Sequence, residues 1–221
     1  MENTEASSNT NATKIVASTF GVLVGLAGID HGIFEILQGD AQPDGLMIAA
    51  IGPAQRLWEY GTEPALTIIP SFLATGILAV VIGILVIVWA AGFVHGKYGA
   101  AVLLLLSITL FLVGGGFAPI FLTILAVITA TRINKPLTWW RIYIPAAAQT
   151  FLAWLWPWSL IALVLLFFLS VEIAIFGHPL VGRWGADKTR AVLYNASYAM
   201  IGLMLLSPLT AFAHDTRSPS H

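Results

Sequence analysis

His31 and Glu35 stand four residues apart in "GLAGIDHGIFEILQGD" (25–40), and Asp30 directly precedes the histidine. An imidazole and a carboxylate one helical turn apart touch on one face. Such a pair can pass a proton, or hold Zn, Mn or non-haem Fe if further ligands converge. At roughly 100° per residue, Asp30 points about 100° from His31 and about 140° from Glu35. One helix therefore does not bring all three to a single small ligand. The expected constellation is His31 with Glu35, while Asp30 meets water or another partner. Further ligand or proton candidates are Glu63 in the first loop, Glu172, and the polar run Tyr194, Asn195, Ser197 and Tyr198 near the C-terminus. A metal site has only weak candidates, His31, Glu35 and His214, because no HxxxH or HExxH spacing occurs. There is no GxSxG, P-loop or dinucleotide fingerprint, so no catalytic residue is assigned.

These residues sit in an unusually apolar chain. Of 221 residues, 58% are hydrophobic and 10% charged, with mean hydropathy +0.87. Soluble domains carry about 25% charged residues, so the bilayer must supply part of this protein's solvent. The net charge of −1 and the scattered basic residues give no nucleic-acid footprint. The absence of cysteine removes disulfides, thiolate metal sites and cysteine nucleophiles. Residues 1–13 are polar without a cationic start and read as a retained, disordered tail rather than a secretory signal.

A helical crossing takes about 20 apolar residues. The pattern predicts seven, at about 15–37, 64–92, 98–114, 117–131, 138–156, 158–177 and 190–213, followed by a short tail over 214–221. "GTEP" (61–64) opens the second, with Thr62 as its cap. The stretches 100–131 and 138–176 are each too long for one straight pass at about 1.5 Å per residue. "VGGGFAPI" (113–120) and "LWPWS" (155–159) supply breakers: Gly114, Gly115, Gly116, Pro119 and Pro157. Trp139 and Trp140, then Trp154, Trp156 and Trp158, read as two interfacial belts about 22 Å apart. With seven passes the ten Lys and Arg divide 8 to 2 between the faces; folding back only the second long stretch gives six passes, 7 to 3 and an outer N-terminus, folding back only the first gives 6 to 4, and folding back neither gives five passes and 5 to 5. The expected fold is an all-α, polytopic integral membrane bundle of seven passes with a cytoplasmic N-terminus, in the cell membrane. Five or six passes are the alternatives.

Gly21, Gly25, Gly28 and Gly32 make a stripe of small residues that lets another helix approach closely. The seam serves a neighbour in the same bundle, a second copy, or a partner membrane subunit. The glycine break is either a tight turn or a broken helix that binds an ion or substrate. Seven passes put His31, Glu35, His214, Asp215 and the first-loop acids Asp40, Asp44, Glu59 and Glu63 outside, and His95, Glu172 and His178 inside. "PAQRLWEYG" (53–61) reads as a short interfacial helix, and the first loop as a lid over the outer mouth. No cofactor is indicated. The last pass has no lysine for a retinal Schiff base, and the histidine pairs that could hold haem sit mostly at helix ends. The first functional reading is a transporter or channel for an ion or small solute, with membrane lipids as surroundings. Behind it stand a non-catalytic membrane subunit or sensor, and a metal-assisted enzyme acting on lipid or quinone. The balance leans away from an enzyme.

Overall fold

The computed structural model describes residues 11–179 and 184–217. The tail over 1–10, Arg183 and the last residues 218–221 lie outside the described residues. The first helix, α1 (Ala12–Ile36), is the hub, lying against α2, α3, α4 and α7. Its start is defined from two directions. The Asn11 side chain accepts the Lys14 N–H at 2.7 Å. The Asp215 carboxylate, from the far end of the chain, accepts the N–H of Ala12 at 2.9 Å and of Thr13 at 2.8 Å. These are otherwise unsatisfied donors at a helix N-terminus, and a carboxylate there also favours the helix dipole. Asp215→Ala should lower stability by about 1–2 kcal/mol, read as a fall in the thermal midpoint in detergent. An unchanged midpoint would show that this cap contributes nothing.

The second helix, α2 (Phe72–Gly92), starts later than the expected 64. Pro70 cannot donate to a helix and holds the preceding residue extended. Ser71 instead caps the helix, accepting from the Ala74 N–H at 3.2 Å. Residues Pro64–Leu66 form a short strand, β2, antiparallel to β1 (Met47–Ala49), with Met47 opposite Leu66. Residues 53–61, expected as an interfacial helix, form turns.

Two short helices, α3 (Gly99–Leu112) and α4 (Ala118–Ala130), flank the glycine break. Gly114 and Gly116 take φ of +100° and +81°, a region that favours glycine. The turn is stitched to the strand segment below it. Gly114 N–H donates to Leu66 O at 2.9 Å, Ile68 N–H to Leu112 O at 3.0 Å, and the Thr75 hydroxyl to Val113 O at 3.0 Å.

The second expected hairpin does not form. The short helix α5 (Thr138–Tyr143) ends at Ile144–Pro145, and α6 (Ala146–Phe176) then runs unbroken through Pro157. The passes placed at 138–156 and 158–177 are therefore one α5 turn plus one 31-residue helix. Ile144 is extended, as a residue before proline prefers, so Pro145 is the breaker. Beside Pro157 the Ser159 hydroxyl donates to Trp156 O at 2.9 Å and meets the Thr210 hydroxyl at 3.1 Å. The proline removes the N–H that would bond Ala153 O, and α7 packed along α6 is the surrounding that lets a membrane helix keep it. The last helix, α7 (Ala186–Arg217), lies along α6 and also contains a proline, Pro208.

One fewer hairpin moves every later residue to the opposite end. Two ends are thus defined. The loop end carries the β1–β2 hairpin, the 113–117 turn and the junction of α6 and α7. The terminal end carries the start of α1 and the end of α7. Trp154, Trp156 and Trp158 fall near the terminal end, where the Trp156 ring lies 5.3 Å from that of His214.

The glycine stripe of α1 is filled by the same chain. A Cβ on Gly25 would stand 2.5 Å from Gly83 O, and one on Gly32 would stand 2.7 Å from Gly76 O. Gly21 faces Ala90, so α2 answers with small residues at 76, 83 and 90, seven apart. Gly28 faces Leu110 of α3. The stripe is consequently occupied within the bundle. Such close approach gains van der Waals and weak Cα–H···O contacts, the forces that join helices when lipid removes the hydrophobic difference.

Candidate functional site

α1 delivers Asp30, His31 and Glu35 to the loop end, but not as one cluster. His31 is 4% exposed, and its Nε2 lies 2.5 Å from Oε2 of Glu63, which is 33% exposed. The expected His31–Glu35 pairing is thus replaced by a pairing 32 residues apart across the first loop. Glu35 is wholly buried, and neither of its oxygens has a hydrogen-bond partner among the described residues; His31 Nδ1 is likewise unpaired. The glycine turn roofs both groups. A Cβ on Gly114 would collide with the Glu35 carboxylate, and one on Gly116 with the His31 imidazole. Those two positions therefore need glycine twice over, for their positive φ and for the space beneath them.

Asp30 and His31 open onto a cavity of about 460 Å³ between α1, α4, α6, α7 and the first loop. That volume falls in the range of small-molecule sites, about 300–1,000 Å³. Its inner wall is apolar, with Leu23, Leu122, Phe167, Met200 and Met204. Its outer wall is the loop itself, through Trp58, Tyr60, Thr62 and Glu63. Trp58 is anchored, its indole N–H donating to Ala174 O at 2.7 Å. The guanidinium of Arg190 lies 4.7 Å over the Tyr60 ring.

The other sequence candidates scatter. Tyr194 and Ser197 line the cavity, whereas Asn195 donates to Ala191 O on an exposed face and Tyr198 is exposed. Glu172 and His178 lie at the loop end rather than opposite it, because α6 is unbroken. Glu172 Oε1 is buried without a hydrogen-bond partner among the described residues, and the His178 ring meets Pro179 O at 2.8 Å. His214 lies at the terminal end beside Asp215, so the metal set His31, Glu35 and His214 does not assemble. Among the described residues no group of three or more His, Asp or Glu is placed to hold a metal ion. The residues missed by sequence reasoning are Trp58, Tyr60 and Arg190. Only the one-turn spacing of Arg190 and Tyr194 hinted at a shared face.

Glu63 is tuned by this setting. Burial, the largest influence, pushes its carboxyl up, but the hydrogen bond from His31 and the His31 charge together outweigh it, leaving it below the ordinary 4.5. A depressed carboxyl contributes stability that is complete above its unfolded value and is lost as pH falls through the native value. The Glu63–His31 tether should therefore hold at neutral pH and release below about 4.5. Hydrogen exchange of residues 61–66, corrected for intrinsic rates, should accelerate across that window. His31→Ala should show the fast rate at every pH; identical profiles would contradict the tether.

Nearly all the regular structure of the described residues is helical, and four helices are long and apolar enough to cross a membrane: α1, α2, α6 and α7. This is the build of a helical membrane protein, with a solvent-reaching cavity at one end and an unpaired buried carboxyl behind it. No family model, curated protein or solved structure matches the chain.

Proposed function

We propose that the protein is a carrier that moves a small solute in exchange with protons, using the loop-end cavity as its binding site and Glu35 as its proton-exchanging group. The observation that carries this reading is Glu35, wholly buried with both oxygens unbonded among the described residues, one helical turn beyond the cavity-lining His31. An ionisable group kept at membrane depth is costly, and proton carriage is a common reason to keep one. The cavity supports the solute half, since a purely structural subunit needs no chamber of this size. In proteoliposomes with an entrapped pH dye, an added solute that is carried should shift the luminal pH. Glu35→Gln should abolish the shift, and a shift that persists in that variant would overturn the reading.

The same reading takes six crossings, by α1, α2, α3, α4, α6 and α7, with both chain ends on the cytoplasmic side and the loop end outside. Supporting it is the 6 to 4 division of Lys and Arg in favour of the terminal end. From Trp158 to Phe176, α6 offers one ordinary span, and Trp154 and Trp158 stand exposed near the inner interface. Cysteines at Gly45 and Gly185, both in open space, should label from outside, and one at Lys97 from inside. A seven-pass arrangement reverses the Gly185 result.

A further inference from the structure

We propose that the loop-end cavity takes an organic cation, a molecule with one positive centre on an apolar body, seated with its charge against Asp30. This rests on the carrier reading above and names the cargo of that same site. The cavity is divided in character. Its inner part is lined by Leu122, Phe167, Met200 and Met204, which suits an apolar body. Its polar part holds two carboxylates, Asp30 and Glu63, one imidazole, His31, and one guanidinium, Arg190. That imidazole is already committed to Glu63 at 2.5 Å. Asp30 lines the cavity, and among the described residues no hydrogen bond or ion pair reaches it. A carboxylate facing a largely apolar chamber, whose nearby imidazole is already bonded to Glu63, favours a ligand that brings a positive charge. The imidazole beside it is nearly as enclosed as the core and leaves Nδ1 unpaired, a second polar atom not satisfied by the protein.

The aromatic rim points the same way. Trp58 and Tyr60 meet edge to face at 5.8 Å, and the Trp58 ring is held in place by its bond to Ala174 O. Aromatic faces attract cations through their ring quadrupole. The rim already does so with the chain's own charge, Arg190 lying over Tyr60. Arg190 is the competing feature, since it could attract an anion. It is occupied with Tyr60, and an anion entering the cavity also meets the carboxylates of Asp30 and Glu63.

The test is equilibrium dialysis of the full chain in zwitterionic nanodiscs, with empty nanodiscs subtracted. The probes are tetraphenylphosphonium and tetraphenylborate, alike in shape and opposite in charge. The phosphonium should bind saturably, one per chain. Asp30→Asn should weaken it at least tenfold, and Arg190→Ala should leave it unchanged or tighter. Met204→Trp, which fills the apolar part, should abolish it. Preference for the borate, or phosphonium binding indifferent to Asp30→Asn, overturns the cation site. If Asp30→Asn does not fold, the choice between the two probes and the Met204→Trp result decide alone. The carrier reading fails separately. Cation binding with an undiminished proton shift in Glu35→Gln would sink the carrier and leave the site standing.

Discussion

Glu35→Leu should make the purified protein more heat-resistant while removing its solute-evoked proton movement. The wild-type side chain is wholly enclosed between α1 and the 113–117 turn, and neither carboxyl oxygen is bonded among the described residues. A buried polar group without a partner costs about 1–3 kcal/mol, and more when it is charged. Leucine has a similar bulk and no polar atom to leave unsatisfied, so most of that cost disappears. For a chain of this size each kcal/mol corresponds to roughly 2–4 °C in the thermal midpoint. The gain should therefore be several degrees, visible in a melting curve in detergent. A protein that retains so unfavourable a group at membrane depth is trading stability for use of it. A fall in midpoint for Glu35→Leu would mean that the carboxyl is structurally paired after all, and that its role is local packing.

The second large effect belongs to the helix seam. Gly25→Leu should prevent α1 and α2 from closing. A Cβ at Gly25 would already stand 2.5 Å from Gly83 O and 2.6 Å from Ile87 Cγ1, and the first of these is backbone that cannot rotate away. Overpacking costs about 1–3 kcal/mol where side chains can adjust, and here the two helices must separate instead. Loss of monodisperse protein in gel filtration is the expected result, with Gly83→Leu behaving alike. Gly92→Leu, on the same helix with nothing within 4 Å of its Cβ, should be silent. Equal behaviour of Gly25→Leu and Gly92→Leu would show that the close approach is not needed.

Part of this was readable in the chain. The α1 stripe announced itself because glycines at 21, 25, 28 and 32 have no other reason to share a face. The break at 113–120 did so because three glycines and a proline cannot continue a helix. Pro157 misled for a physical reason. A proline within a lipid-embedded helix is tolerated when the packing around it allows, and the meeting of α6 with α7, seen at Ser159 and Thr210, is one that no local pattern reveals. That single difference reverses the side of Glu172, His178, His214 and Asp215. The β1–β2 pairing escaped notice because three-residue strands are too short to show alternation. The partner of His31 was equally hidden. Glu63 was one acid among several in the first loop, and only the β2 segment docking beneath the 113–117 turn brings it to the imidazole.

The central claim is that Glu35 exchanges a proton within the working protein, and infrared difference spectroscopy of the chain in nanodiscs measures it most directly. A jump between acid and alkaline pH should change a carboxylic-acid carbonyl band in the wild-type protein, and part of that change should vanish in Glu35→Gln. Superimposable difference spectra from the two proteins would contradict the account.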